Sequence, residues 1–295
     1  MFIVKFMAGL GNQMYQYAFY RLLETLFPHA HIYADITPFR RDDSHWGYEL
    51  ERVFGIHVRE ANDDDITRLT GIRPKKRKIL NTIYKLYLLI TRHNVQITPN
   101  VFCSVDWPLI DIQEKMKSIS DSEDIYFDGY WQYPSLFAPV NHLLRQEFVF
   151  RYKTNHKLQG LIADMEKTES VAVHVRRGDY VGTAFECIGM QYYHKAINIL
   201  ETKVENPFFY IFSDDESYIK QEFSFLKNKF FVTGNERKNS YLDMMLMSRC
   251  KHNIIANSSF SYWGAHLNQH ENKIVVTPLN DIGFRSLVDD GWIVL

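Results

Sequence analysis

The run Ser170-Val-Ala-Val-His-Val-Arg-Arg-Gly-Asp-Tyr180 is apolar until it ends abruptly in two arginines, a glycine and an aspartate. Val171, Ala172, Val173 and Val175 suit a parallel strand covered on both faces. Arg176 and Arg177 then fall at the carboxyl end of that strand, and open α/β sheets bind ligands in the crevice outside such ends. Two guanidiniums there point to a phosphate-bearing ligand, because arginine's planar fork of donors matches phosphate oxygens and its charge is not titrated away. Gly178 lets the backbone turn tightly or approach a ligand closely just after the charges. The same residues also read as a surface ion-pair loop, with Asp179 pairing with one of the arginines.

The residues after Tyr180 repeat this pattern of apolar strands with polar ends. A helical pattern over about 191–204 leads to Phe208-Phe-Tyr-Ile-Phe212, a strand ending in Ser213-Asp-Asp215. A helix over about 216–226 and a strand at Phe230-Phe-Val232 come next. Ser240 to Cys250 is amphipathic, with Asp243 three after Ser240 as in a capping box. His252-Asn-Ile-Ile-Ala-Asn257 reads as a strand ending in Ser258-Ser259, Phe260 to Leu267 as a helix, and Lys273-Ile-Val-Val276 as a last strand. Strands alternating with helices predict a parallel, doubly wound sheet.

In such a sheet the ends at Arg176/Arg177, Ser213/Asp214/Asp215 and Asn257/Ser258/Ser259 share one edge. An arginine pair and a Ser-Ser turn at a helix amino terminus can bind a pyrophosphate, the serines and unbonded N–H groups donating and the helix dipole adding favourable charge. Asp214 or Asp215 beside His174 suits the N1–H and 2-amino edge of guanine better than uracil. Alternatively, the two aspartates cap the following helix.

With 295 residues the chain is long for a single core, so two domains are expected, 1–150 and 151–295, divided near the polar Arg151-Tyr-Lys-Thr-Asn-His-Lys157. A net charge of −1 gives no whole-molecule attraction to nucleic acid, so anion binding must be local. Cys103, Cys187 and Cys250 are odd in number and far apart, which fits a reducing compartment and no structural zinc. Lys5, Gly9 and Gly11 interrupt the short apolar start, arguing against a signal peptide. No apolar run reaches membrane-spanning length, and a cytoplasmic protein is expected.

The first half opens as strand (Phe2 to Phe6), glycine turn (Ala8 to Gly11), helix (Asn12 to Phe27) and strand (His31 to Asp35). Met14 stands where a dinucleotide fingerprint needs its third glycine, so that motif fails. A glycine turn at a helix amino terminus remains, with Asn12 and Gln13 either capping the helix or touching a ligand. Asp63-Asp-Asp65 looks like a metal-binding acidic motif but is more often a solvated turn or helix start. Arg73, Lys75, Lys76, Arg77 and Lys78 precede the apolar Ile79 to Ile90, which reads as a packed helix with a charged entrance or as peripheral contact with an anionic inner-membrane surface. Asp124-Ile-Tyr-Phe-Asp-Gly-Tyr-Trp-Gln132 is a short strand entering an aromatic turn, suited to sugar rings or to a core.

Four ordered stretches, Gly9-Leu-Gly-Asn-Gln-Met-Tyr-Gln16, His174-Val-Arg-Arg-Gly-Asp-Tyr180, Ile211-Phe-Ser-Asp-Asp215 and Ile255-Ala-Asn-Ser-Ser-Phe-Ser-Tyr-Trp-Gly-Ala265, together resemble the α-1,2-fucosyltransferases. Tyr262-Trp263 departs mildly from the Trp-Trp often seen there. The resemblance implies an α/β chain of GT-B architecture, two facing Rossmann-like domains with parallel sheets. It further implies GDP-β-L-fucose as co-substrate, inversion at the anomeric carbon, and no metal or other cofactor. Arg176 and Arg177 would hold the pyrophosphate and serve catalysis, His174 with Asp214 or Asp215 would contact guanine, and Ser258 and Ser259 the phosphates. Gly11, Asn12, Gln13, Asp35 and Asp128 would lie on the acceptor side, and Asp35, Asp128 and Glu147 are the candidates for a general base. The expected acceptor is the 2-hydroxyl of a terminal galactose on an oligosaccharide or lipid-linked glycan in bacterial surface-polysaccharide or O-antigen synthesis. Competing readings are a transferase of the same donor with another linkage or acceptor, and a non-catalytic GDP-sugar-binding module. A serine hydrolase is a less credible reading, because Ser258 sits in no Gly-x-Ser-x-Gly elbow.

Overall fold

A computed structural model describes residues 1–40, 46–71, 101–103, 109–183, 188–279 and 287–295. The basic stretch from Arg73 to Lys78, the apolar run 79–90 and Cys187 lie outside the described residues, as does the side chain of Asp179. The chain divides into two compact units, Met1–Trp131 with Leu136–Leu144, and Gln132–Ser135 with Arg145–Leu295.

The first unit carries β1 (Phe2–Lys5), α1 (Leu10–Leu26), β2 (Ile32–Asp35), α2 (Leu50–Phe54), α3 (Asp63–Thr70), β3 (Val101–Cys103), α4 (Leu109–Lys117) and β4 (Ile125–Asp128). Helix α5 (Asn141–Glu147) contains the division between the units. The described strands form a parallel sheet in the order β2-β1-β4-β3. Alternation along β1 and β4 fills both faces. Ile3 and Tyr126 pack with Ile66 and Leu69 of α3, while Phe127 meets Phe2 and Phe19 edge-on with ring centroids 5.6 and 5.3 Å apart. Asp63-Asp-Asp65 is the first turn of α3, capped by the Asn62 side chain, which accepts the Asp65 N–H at 2.8 Å. Negative charge is favourable at that helix end. Strand β3 and helix α4 had no counterpart in the sequence patterns, since three strand residues carry too little periodicity to register.

The second unit carries α6 (His156–Lys167), β5 (Glu169–Val175), α7 (Met190–Lys203), β6 (Pro207–Ser213), α8 (Glu216–Glu222), β7 (Lys229–Val232), α9 (Tyr241–Arg249), β8 (His252–Ile254), α10 (Ser259–His266), β9 (Val275–Thr277) and β10 (Ile293–Val294). Its six described strands are all parallel, in the order β10-β9-β8-β5-β6-β7. Val171, Val173 and Val175 of β5 bury one face against Tyr193, Ile197 and Leu200 of α7. Burial of each such aliphatic side chain contributes roughly 1.5–3 kcal/mol. Ala172 and His174 therefore point to the opposite face, where the His174 ring lies 5.8 Å from Phe260 of α10. Helices α9 and α10 approach closely at Gly264, where a Cβ would stand 3.0 Å from the Met247 Cβ.

Two local expectations change. Strand β8 ends at Ile254, before Asn257, although the Ile255 N–H still donates to the Val276 carbonyl at 2.9 Å. No capping box forms at Ser240, whose backbone is itself helical, so its side chain is not aimed along the helix start. Asp243 instead accepts from the Asn235 side chain at 2.8 Å.

Candidate functional site

Strand β5 is central and delivers Arg176 and Arg177 to the carboxyl edge of the second sheet, flanked by the ends of β6 and β8. Asp214, just past β6, organises both arginines. Its Oδ1 accepts the Arg177 N–H at 2.9 Å and the Gly178 N–H at 3.1 Å, and its Oδ2 lies 2.8 Å from the Arg176 guanidinium. Each partner side chain of that ion pair is 29% exposed, so its contribution is orientation more than stability.

Asp215 does two things. Its Oδ1 caps α8, accepting the Tyr218 N–H at 3.0 Å and the Ser217 hydroxyl at 2.8 Å, and its Oδ2 stands 3.3 Å from Arg177 Nε. The Tyr218 N–H bond leads the causes that hold its carboxyl below the usual range, followed by Ser217 and Arg177. The Arg177 guanidinium also lies 3.8 Å above the Tyr218 ring, and that of Arg176 lies 5.5 Å from the Tyr180 ring. These tyrosines were not singled out in the sequence. A planar cation followed by an aromatic on a neighbouring turn is the signal that marks them. Arg176, Arg177, Tyr218 and Asn257 line one shallow crevice.

Asn257 leads into the third strand end. Ser258 caps α10, its hydroxyl accepting the Phe260 N–H at 3.3 Å, and Ser259 is the first helical residue. Both ends of α10 are tied down. Lys273 donates from Nζ to the Ala265 and Asn268 carbonyls at 2.9 and 2.7 Å, and burial lowers its pKa to about 8. On its flank, Asp289 accepts the Tyr262 hydroxyl at 2.7 Å and pairs with His266 Nδ1. Burial raises the Asp289 pKa, but the bonds from His266 and Tyr262 outweigh it and hold the carboxyl below the usual range.

His174 is buried, and burial lowers its pKa to about 4, with Asp214 opposing and Arg176 assisting. The ring is neutral near pH 7. Its Nδ1 is buried without a hydrogen-bond partner among the described residues, a polar atom suited to a ligand group. Asp243 is a further acidic group, at the start of α9. Burial raises its pKa to about 7, with Asn235 opposing and Glu236 assisting.

The residues expected on the acceptor side lie in the first unit. Gly9 is the N-cap of α1 and offers no side-chain cap; Gly11, Asn12 and Gln13 occupy the first turn, so neither Asn12 nor Gln13 is the cap. Gln13 is fully buried, its Nε2 donating to the Ala8 and Gly47 carbonyls at 2.9 Å each and its Oε1 accepting the Glu49 N–H at 2.8 Å. Asp35 is fully buried and accepts the Thr37 N–H at 2.9 Å and the Tyr126 hydroxyl at 2.6 Å. Asp128 holds Lys5 Nζ between its two oxygens at 2.9 and 2.8 Å. Trp131, in the aromatic turn, is core: it is 1% exposed and stacks on Phe19 at 3.7 Å.

Among the described residues no group of three or more His, Cys, Asp or Glu side chains could hold a metal ion. No described helix is long and apolar enough to cross a membrane.

Residues 102–293 match the family described as Glycosyl transferase family 11. Over 285 residues the chain is 30% identical to an Escherichia coli protein named alpha-1,2-colitosyltransferase, covering 94% of this chain and 90% of that one. Over 286 residues it is 28% identical to the O-antigen biosynthesis glycosyltransferase WbnK of Escherichia coli, covering 92% and 91%. The fold is similar to that of the fucosyltransferase NodZ from Bradyrhizobium, with a TM-score of 0.55 at 14% identity over 89% of this chain and 91% of that one.

Proposed function

The chain belongs to glycosyl transferase family 11 and has the GT-B class of fold, and from that premise we propose that it transfers L-fucose from GDP-β-L-fucose to the 2-hydroxyl of a terminal galactose, with inversion. The observation that carries this reading is the arginine pair oriented by Asp214 beside the Ser258-capped amino terminus of α10. That edge gathers two oriented guanidiniums and the N–H donors of a helix amino terminus where a pyrophosphate leaving group needs them.

In the proposed reaction the acceptor oxygen attacks C1 of the donor sugar on the face opposite GDP, the C1–O bond to the β-phosphate breaks, and its electron pair departs with GDP. Charge develops on the phosphate oxygens in a loose, oxocarbenium-like transition state. Arg176 and Arg177 take it up bidentately, and the amino terminus of α10 adds its dipole. In this reading the guanidiniums and the α10 dipole stabilise the departing GDP without a divalent cation. Neutral His174, whose buried Nδ1 has no hydrogen-bond partner among the described residues, is assigned to the guanine ring. Asp214 and Asp215 both accept from protein donors, which favours an orienting role over direct base contact for each.

The acceptor hydroxyl must lose its proton, to a base or to solvent. Asp35 and Asp128 are held by Tyr126 and Lys5, respectively, so a base role for either requires release of those donors. The setting is a cytoplasmic enzyme of O-antigen assembly, peripheral to the inner membrane if Arg73, Lys75, Lys76, Arg77 and Lys78 meet anionic lipid.

A second donor belongs in the same assay, because the 30%-identical relative is named a colitosyltransferase. Colitose is fucose without its 3-hydroxyl, so the nucleotide contacts are shared and the sugar pocket decides. The test is GDP release from GDP-fucose and GDP-colitose in EDTA, with and without β-galactosides, followed by linkage analysis. A 2-linked fucosyl galactoside is expected. Saturable GDP binding with no transfer to any acceptor would leave a GDP-sugar-binding module instead.

A further inference from the structure

We propose that Trp46 is the stacking platform for the acceptor's sugar ring, presented by the buried amide of Gln13; the inference rests on the glycosyl-transfer reading above. Three observations converge. The first is backbone strain. Trp46 has φ +64°, in the left-handed region, and Gly47 follows at φ +80°. For a bulky L residue that conformation is a genuine outlier, held only where surrounding structure enforces it.

The second is the enforcing group. Gln13 reaches out of the first turn of α1 and binds both the Gly47 carbonyl and the Glu49 N–H, at 2.9 and 2.8 Å. Its Nε2 also holds the Ala8 carbonyl at 2.9 Å, and Ala8 is itself left-handed, at φ +64°. One fully buried amide thus fixes two strained turns, the glycine turn after β1 and the Trp46-Gly47 turn, at the carboxyl edge of the first sheet.

The third is what the strain accomplishes. Tyr48 turns inward against Phe6 and Phe39, with ring centroids 5.9 and 6.0 Å away. Trp46 turns outward and is 43% exposed, whereas Trp263 is 1% exposed and so is Trp131, although it too is left-handed at φ +55°. An indole is amphipathic and strongly driven to bury its faces. A turn that is strained and also leaves an indole in water is organised for something that covers the ring.

The chemistry of that cover follows from the acceptor class. A galactopyranoside's axial O4 leaves C3–H, C4–H and C5–H on one side, an apolar patch that lies flat on an indole face. Stacking through that patch leaves the 2-hydroxyl at the ring edge, uncovered by the indole. A glucoside, with O4 equatorial, offers a different arrangement of C–H groups, so Trp46 is also a specificity-determining residue.

The test is steady-state kinetics of Trp46→Ala and Trp46→Phe with lactose and related β-galactosides, alongside thermal melting and donor KM. Trp46→Ala is expected to raise acceptor KM about tenfold, the equivalent of one stacking contact, with kcat and donor KM held. Trp46→Phe should recover most of that loss. An unchanged acceptor KM in Trp46→Ala, with normal melting, overturns the platform. Failure of the wild-type protein to glycosylate any galactoside would strike the proposed reaction itself. The platform is then decided by fluorescence: a galactoside-induced change seen in wild type and lost in Trp46→Phe supports it, and no wild-type change overturns it.

Discussion

A Cβ added to Gly178 would stand 2.6 Å from Oδ2 of Asp214, the oxygen that pairs with Arg176. The glycine is therefore required by close approach; its φ is not in the left-handed region. Asp214 can draw the arginine loop onto its carboxylate only because position 178 has no side chain. Gly178→Ala should push the carboxylate off its N–H donors and misdirect Arg176. We expect donor KM to rise and kcat to fall by at least about tenfold with a small change in melting temperature, since the loop is exposed. Wild-type kinetics in the variant would remove Asp214 as the organiser.

Loss of either guanidinium should act mainly on turnover. Arg176→Ala and Arg177→Ala each remove a preorganised donor to the leaving phosphate, a class of contact worth on the order of 2.7–4 kcal/mol, or about 10²–10³ in kcat. Arg177→Lys should recover little, because an ammonium lacks the fork and stacks poorly on Tyr218. Rapid-quench measurement of the transfer step distinguishes this from slowed product release.

Acid should destabilise the protein through His174. Its folded pKa of about 4 lies below the ordinary histidine value of 6.5. Between those two values the unfolded chain binds a proton that the folded one does not, so stability falls as pH drops from about 6.5 towards 4. The slope due to one such group is at most about 1.4 kcal/mol per pH unit. Denaturant titrations of wild type and His174→Asn across that window should diverge; parallel curves would mean that the ring is hydrated.

Asp243 has the opposite sign. Its folded pKa is about 7, above the ordinary aspartate value of 3.8, so the unfolded chain gives up its proton first and stability falls as pH rises from about 4 to 7. Asp243→Asn should be more stable than wild type at pH 8 and nearly equal to it below pH 4.

Asp289 secures the flank of α10. Asp289→Asn weakens the bond from Tyr262 and the pairing with His266, leaving buried polar atoms poorly matched, at a cost of about 1–3 kcal/mol. A lower melting temperature is expected, read by calorimetry, with Tyr262→Phe giving a smaller loss because it removes one bond.

Where local pattern carried the information, the chain could be read directly. The alternating valines of β5, the aromatic run of β6 and the polar residues that end them were legible because strand burial and strand termination are written in neighbouring residues. The helix that starts at the Ser258-Ser259 turn was legible for the same reason. The first half was less so: β3 is three residues long, and the core role of Trp131 depends on Phe19, more than a hundred positions away. The partners of the site residues were not legible: Asp214, which with Asp215 was a candidate for guanine, accepts the Arg177 and Gly178 N–H groups, and Gln13, a candidate cap or ligand contact, clamps two turns.

The sequence by itself determined the alternation of strands and helices, the strand edge to which the arginines, aspartates and serines belong, and the family. Those follow from side-chain periodicity and from short motifs whose spacing survives without coordinates. Only the tertiary structure decided which carboxylate orients which arginine, that Gly178 must lack a side chain, that His174 is neutral and that Trp46 is turned outward. Each of these depends on a partner brought from a distant part of the chain, and hydrogen-bond geometry and burial exist only once the sheets have brought them together.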